Sequence, residues 1–291
     1  MITILITGGT GFLGSNIIRK ILENNIYNIV LLKRSTSNTE NIKLLLKNES
    51  LKIYNIDQID LNDIFKDNKI DIVFHTATCY GRNNEKITKI IESNLILPLK
   101  LLELCTEYRV STFFNIDTTL PNGINYYVIS KKQLLEYGKK FSDDTDLNFI
   151  NIKLEHIFGP GDDESKFVGM IINKIKNNEN YIDLTFGEQK RDFIYIDDVI
   201  NMLLILINLN INININGFQE YEIGTGNTIE IKELVKKIKK ILKSKIQLNF
   251  GKIEYRKGEQ MISFAKLNKV FKNYKFESLD EGLIKTIKYF K

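Results

Sequence analysis

The chain has few of the residues that would mark a secreted, membrane-bound or metal-dependent protein. Its 291 residues include two cysteines, Cys79 and Cys105, and three prolines. Two thiols supply no disulfide framework and fit a reducing compartment. The N-terminus has no basic segment followed by a long apolar core, and it enters a glycine turn by residue 8. Neither a signal peptide nor a membrane span is expected, and the expected location is the cytoplasm. Charge of one sign is lacking too. The 41 basic and 36 acidic residues are scattered, for a formal net charge of +5. That spread describes a solvated surface, not a nucleic-acid stripe, although mild basicity suits an anionic substrate. No metal site is expected. A hydrophobic content of 43% and a charged content of 26% are those of an ordinary globular protein, able to bury a substantial core in one large domain or two modest ones.

What the chain does have begins with "LITGGTGFLGSNII", residues 5 to 18. Gly8, Gly11 and Gly14 fall three apart, directly after the apolar run Ile2 to Ile6. A strand that ends in a glycine turn and feeds a helix leaves peptide N–H groups unpaired at the helix N-terminus, aligned with its dipole. Gly8, Gly11, Phe12, Leu13 and Gly14 are therefore the candidates for cradling the diphosphate of a dinucleotide. No Gly-Lys-Ser/Thr closes the loop, which argues against a triphosphate cradle. A tight turn with no ligand is the plain alternative.

Apolar strands then alternate with amphipathic helices. Strands are predicted at Ile2–Thr7, Asn28–Lys33, Leu51–Asn55, Asp71–Thr76, Thr112–Ile116 and Asn148–Ile152. Helices are predicted at about 12–24, 60–66, 85–107 and 126–141. This alternation calls for an α/β fold, a doubly wound parallel sheet covered by helices on both faces. Beyond "FGPGD" (158–162) the pattern loosens, and a boundary is placed there. A dinucleotide-binding domain over 1–160 precedes a substrate domain over 161–291, with a segment near 190–225 returning to the first. The later part holds a helix near 164–177, strands near 181–186 and 193–196, a helix opening at Asp197, and a strand-turn-helix over 220–238. The low-complexity stretch "INLNININING" (207–217) reads equally as a strand or as the end of a helix with a polar loop.

The end of the second strand lacks the acidic residue that accepts hydrogen bonds from the adenosine ribose in an NAD site. Lys33 and Arg34 stand there, followed by Ser35, Thr36 and Ser37. Cations and hydroxyls suit a 2′-phosphate, so NADPH is expected over NADH; a solvated basic turn is the alternative. Asp57 is a candidate acceptor for the adenine amino group. Ala77, after the fourth strand, leaves space for the cofactor.

Of the 13 tyrosines, Tyr127 alone has a lysine four residues on, Lys131, in "YYVISKKQLLEYGKKF" (126–141). One helical turn puts both on one face. The preceding strand delivers Thr118 to the sheet's C-terminal edge, where ligands bind. An ammonium beside a phenol should lower the phenol's pKa from about 10. A proton donor, an orienting hydroxyl and a hydride carrier are together the parts of a carbonyl-reducing site.

"TGGTGFLG" (7–14), "YVISK" (127–131), "FGPGD" (158–162), "RDFIYIDDV" (191–199) and "EIGTGNTIEIKEL" (222–234) occur in this order over nearly the whole chain. The sequence resembles an extended short-chain dehydrogenase/reductase of the NAD-dependent epimerase/dehydratase type. Within it, "HTATCYGR" (75–82), "SNLILPLKLLEL" (93–104), "KLEHIFGPGDDESKF" (153–167) and "GEQKRDFIYIDDV" (187–199) are most similar to CDP-abequose and CDP-paratose synthases, which reduce nucleotide-linked 4-keto-3,6-dideoxy sugars. The resemblance implies a Rossmann fold with a seven-stranded parallel sheet, a smaller C-terminal α/β substrate domain, and homodimers built from two helices per subunit. It gives Tyr127, Lys131 and Thr118 the catalytic roles, with Lys131 also holding the nicotinamide ribose. It matches Arg191 and Arg256 to arginines that hold the phosphates of the nucleotide sugar.

The departures from the family are equally informative. Its dehydratases carry Asp-Glu after the active-site threonine; here Thr119 and Leu120 follow Thr118. Its fucose-synthase-type epimerases use a cysteine and a histidine, and here Leu120 and Lys166-Phe167 stand in those regions. Cys79 and His156 are the candidate substitutes, with structural roles as their plainer reading. The segment from Thr118 to Tyr127 is short for the family, which makes Thr119 the alternative hydroxyl. The expected partner is a nucleotide-linked 4-keto sugar, carried on CDP or GDP, that would contact Cys79, Thr119, His156, Lys166, Arg191 and Arg256. The rival readings are an NAD-dependent 4-epimerase or 4-dehydrogenase, and a dinucleotide-sensing regulator without catalysis.

Overall fold

The computed structural model describes residues 1–23, 26–177, 179–212 and 217–290. In chain order the strands are β1 (Ile2–Thr7), β2 (Tyr27–Lys33), β3 (Leu51–Asn55), β4 (Ile72–His75), β5 (Thr112–Thr118), β6 (Asn148–Leu154), β7 (His156–Phe158), β8 (Tyr181–Leu184), β9 (Lys190–Arg191), β10 (Phe193–Tyr195), β11 (Phe218–Ile223), β12 (Ile229–Glu230), β13 (Gln247–Phe250) and β14 (Ile262–Ser263). The α-helices are α1 (Phe12–Leu22), α2 (Leu61–Asp67), α3 (Ile87–Ile91), α4 (Leu97–Glu107), α5 (Tyr126–Asp144), α6 (Phe167–Lys176), α7 (Ile196–Asn212), α8 (Ile231–Ile241) and α9 (Leu279–Tyr289). The chain divides into two units: Met1–Lys153 with Leu203–Tyr221, and Leu154–Met202 with Glu222–Lys291.

The first unit is built on a seven-stranded parallel sheet in the order β11-β6-β5-β4-β1-β2-β3. The order reverses between β1 and β4, which pair from Ile4↔Ile72 to Thr7↔His75. Ligands bind at such a switch point, outside the strands' C-terminal ends. The strand interiors are apolar because helices cover both faces. Leu5, Val30, Val73, Phe113 and Phe149 belong to one buried layer with Leu101, Leu102, Leu134 and Leu135 of α4 and α5. Phe113 stacks on Phe149 at 5.7 Å between ring centroids. A Cβ at Gly138 would come within 2.1 Å of the Phe149 ring, so only glycine lets α5 lie this close to the sheet.

The expected strands are all present; β2, β5 and β6 extend one or two residues beyond their expected bounds, whereas β4, β8 and β10 are one or two residues shorter. The helix expected over 85–107 is interrupted by a π turn, Glu92–Ile96, between α3 and α4. The stretch 207–217 is helical as far as Asn212, and 213–216 lie outside the described residues.

The second unit holds the parallel pairs β7–β10 and β8–β13 and the short sheet β12-β9-β14. The wholly buried Asp192 carboxylate accepts from the Thr225, Gly226 and Ala265 backbone N–H groups and from the Thr225 hydroxyl, at 2.7–3.2 Å. One charge thereby joins three segments.

Candidate active site

The chain leaves β1 at Gly8, whose φ of 69° lies in the left-handed region. A Cβ there would come within 2.5 Å of the Ala77 nitrogen, and one at Gly14 within 2.5 Å of the Gly8 carbonyl oxygen. The protein's own packing at the β1–β4 switch point requires both glycines. Gly11 differs, because a Cβ there would meet, among the described residues, only the Gly8 oxygen, at 3.3 Å. The space beside it is open. Helix α1 starts at this point with no side-chain cap and no acidic residue in its first turn. Its leading N–H groups, those of Leu13 and Gly14 among them, have no acceptor within the helix, and the dipole favours an anion there. The turn fits the diphosphate of a dinucleotide.

At the end of β2, Arg34 is exposed and the Lys33 ammonium donates to the Arg34 carbonyl at 3.2 Å. Ser35 gives its N–H, at 2.8 Å, and its hydroxyl to Asp57. Those bonds hold the Asp57 carboxyl below the usual carboxylate range. A carboxylate from just beyond β3 thus stands against the end of β2.

Tyr127 stands in the first turn of α5, which Asn125 caps by accepting from the Val128 N–H at 2.9 Å. Such a cap contributes about 1 kcal/mol and fixes where the helix starts. The Thr118 hydroxyl neighbours the Tyr127 phenol and accepts from the Leu120 N–H at 3.2 Å. Thr118 is buried at the end of β5, and Thr119 beside it is half-buried. The expected lowering of the phenol pKa by a neighbouring ammonium is not what the structure gives. Burial pushes Tyr127 well up, reinforced by Tyr80 and Asp117 and only partly opposed by the Thr118 hydroxyl and Arg82. Lys131 lies one turn on, wholly buried, but its ammonium donates to the Ile116 carbonyl at 2.8 Å. Burial lowers Lys131 to about 8, with Asp117 opposing the shift and Lys132 adding to it.

The loop after β4 closes over this helix. Ala77 donates its N–H to the Thr7 hydroxyl at 3.2 Å, and that hydroxyl meets His75 Nδ1 at 2.8 Å. The Tyr80 ring lies 5.0 Å from the Tyr127 ring, and the Arg82 guanidinium lies 4.8 Å from the Tyr80 ring centre. Asn94, wholly buried in the π turn, accepts from the Cys79 N–H at 2.7 Å and donates to the Cys79 carbonyl at 2.9 Å. The same amide donates to Ser130 at 3.1 Å, which ties the loop to α5.

In the second unit, Arg191 and Arg256 converge on one carboxylate. Arg191 pairs with Glu259 Oε1, and Arg256 Nε donates to Glu259 Oε2 at 3.1 Å. Arg191 is buried, whereas 83% of the Arg256 side chain remains exposed. His156 Nδ1 lies 3.2 Å from the buried Glu155 carboxylate, which accepts from the Ser263 hydroxyl at 2.8 Å. Lys166 donates to Asp162 at 2.7 Å.

A dinucleotide turn, a Tyr–Thr pair with a buried lysine, and two gathered arginines are now in place. The model of the NAD dependent epimerase/dehydratase family matches residues 4–224. The chain belongs to this family. It is 35% identical over 269 residues to a CDP-abequose synthase of Salmonella muenchen, covering 90% of this chain and 88% of that protein. A second CDP-abequose synthase, from Salmonella typhimurium, is 31% identical over 90% of this chain and 89% of that protein. Among solved structures, UDP-glucuronic acid 4-epimerase of Bacillus cereus, in complex with UDP-glucuronic acid and NAD, superposes with a TM-score of 0.87 at 22% identity, covering 99% of this chain and 98% of that one. That likeness establishes the fold.

Within this epimerase/dehydratase frame, the first unit brings together Tyr127, Thr118, Lys131, Cys79, Ala77 and the glycine turn. The second unit gathers Arg191 with Arg256, and holds His156 and Lys166 on their own carboxylates. Sequence reasoning missed Asn94, Glu259, Tyr80 and the ion pair of Lys132 with the buried Asp117 carboxylate, at 2.8 Å. Only Glu259 left a local signal, its place three residues after Arg256. The others act through contacts between segments far apart in the chain. No described helix is long and apolar enough to cross a membrane.

Proposed function

We propose that this protein reduces the C4 ketone of a nucleotide-linked 4-keto-6-deoxy sugar, of the 3,6-dideoxy kind, with NADPH as reductant. The observation that carries this reading is the buried Tyr127 phenol with the Thr118 hydroxyl beside it, in the same unit as a glycine turn that fits a dinucleotide. Bound there, NADPH supplies the hydride that C4 receives. Thr118 holds the ketone oxygen. Tyr127, kept un-ionised by burial, gives that oxygen its proton as negative charge develops on it. Lys131 keeps a positive charge beneath the site and takes the nicotinamide ribose.

Similarity to CDP-abequose synthases supports the sugar class. Thr119 and Leu120 give no acid–base pair for elimination of water. Arg191 and Arg256 are the groups for the diphosphate, on a CDP or GDP carrier. The protein is read as a cytoplasmic homodimer, and the exposed Ile87, Ile96 and Tyr137 along the 87–144 helices support a helix-pair interface. A second reading, a 4-epimerase that retains NAD⁺, draws on Asp57 beside the end of β2. Incubating the protein with NADPH and CDP-, GDP- and dTDP-linked 4-keto sugars, and following loss of the reduced cofactor, separates the two. Net oxidation of NADPH supports the reductase, and none with any of these sugars overturns it.

A further inference from the structure

Two consecutive lysines join α5 to the end of β5. Lys131 bonds the Ile116 carbonyl, and Lys132 bonds both the Asp117 carboxylate, at 2.8 Å, and the Thr118 carbonyl, at 2.9 Å. The Asp117 side chain is wholly buried, whereas one-fifth of the Lys132 side chain remains exposed. The carboxylate oxygen that meets Lys132 also accepts from Asn151 at 3.1 Å, and the other has no partner among the described residues. Asn151 is held in turn by Asn115 and by Glu220, which pairs with Lys153.

A buried ion pair adds little net stability over an apolar pair of the same shape, so its value here is to be sought in what it positions. Lys132 reaches the backbone of Thr118, whose hydroxyl neighbours Tyr127. The charges facing Lys131 are Asp117 from β5 and Lys132 from its own helix. His75 on β4 is wholly buried, and its imidazole is driven toward the neutral form by burial and by Lys131 itself. The Tyr127 phenol is un-ionised. The protonation of Lys131 is therefore poised between one attracting and one repelling neighbour that are bonded to each other.

We propose that Asp117 and Lys132 are positioning residues: the pair locks the Thr118 strand end against Tyr127 and balances the charge around Lys131. The catalytic half of this claim rests on the proposed function, and the electrostatic half does not. The test uses Asp117→Asn, Lys132→Met, Lys132→Arg and the double variant Asp117→Asn/Lys132→Met. The Lys131 titration is followed by NMR of protein labelled with ¹³C at the lysine ε-carbons, beside kcat and KM. Removing Asp117's charge should move that titration to lower pH, and removing that of Lys132 should move it to higher pH. The double variant should return it toward the wild type, which keeps the test open if either single variant fails to fold. Each single loss should lower kcat on the order of 10–100-fold, with KM and NADPH affinity little changed, the cost of a slightly misplaced catalytic group. Lys132→Arg should restore most of kcat. Opposed NMR shifts in a protein without reductase activity uphold the charge balance and reject only the proposed function. Shifts in the same direction, no shift, or full kcat in Lys132→Met overturns the proposal.

Discussion

The Thr118 hydroxyl stands beside the buried Tyr127 phenol before any ketone arrives. On the proposed function, a substrate oxygen that enters between them meets a phenol that burial keeps protonated. Tyr127→Phe should therefore lower kcat by about 10²–10⁴-fold, the usual worth of a general acid, while the ring still packs against Tyr80. NADPH affinity, measured by fluorescence titration, should be nearly unchanged. Thr118→Val should be milder, and full activity in that variant would move the role to Thr119.

His75 predicts how stability responds to acid. It is wholly buried, and burial, followed by the charge on Lys131, lowers its pKa well below 6.5. Between its unfolded and folded pKa values only the unfolded chain binds the proton. Stability is therefore fully present above about pH 6.5 and falls as pH drops below it, toward the folded pKa. Urea unfolding from about pH 7.5 to pH 5 should lose up to about 1.4 kcal/mol per pH unit from this group. His75→Gln should be less stable at neutral pH, through loss of the imidazole packing, but should show a shallower acid slope. An unchanged slope would assign the acid sensitivity to another group.

On the proposed function, Arg34 is the residue that selects NADPH. A charge-assisted bond to a 2′-phosphate is worth about 1.5–3 kcal/mol, enough for a preference of roughly tenfold or more for NADPH in kcat/KM. Arg34→Ala should erase most of it. Asp57 works in the opposite sense, because its carboxylate stands beside Ser35. Asp57→Asn should widen the preference by removing a negative charge near the phosphate. Equal use of NADPH and NADH by the unmodified protein would remove the assignment.

Glu259 holds both arginines of the second unit, so its loss should act on binding. Glu259→Gln keeps the shape but weakens the hold on Arg191 and Arg256. KM for the nucleotide sugar should rise several-fold with kcat little changed, and Arg191→Met should raise KM by about tenfold or more. A change in kcat alone in either variant would place the cluster elsewhere in the reaction.

The sheet was legible because each inner strand is a continuous apolar run and each helix shows its period, and "LITGGTGFLGSNII" marked the switch point. Tyr127 and Lys131 were legible as a pair one turn apart. Their environment was not. The direction of the Tyr127 pKa depends on how deeply α5 sits on the sheet, which the Gly138–Phe149 contact decides across 11 residues of chain. The hold of Asp57 on Ser35 joins two strand ends 22 residues apart, which no local pattern announces. The π turn at Asn94 shifts the helix register without changing its apolar composition, so periodicity reads straight through it.

The central claim is reduction at C4 without rearrangement of the neighbouring carbons. Exchange at those carbons needs one group to remove a carbon-bound proton and another to return it, and neither side of Thr118 supplies such a pair. The decisive measurement is NMR of the product formed with NADPH and a CDP-linked 4-keto-3,6-dideoxy sugar in deuterated water. The expected product carries the cofactor's hydride at C4 and keeps protium at C3 and C5. Deuterium at C3 or C5 beyond a protein-free control, or no product at all, would contradict it.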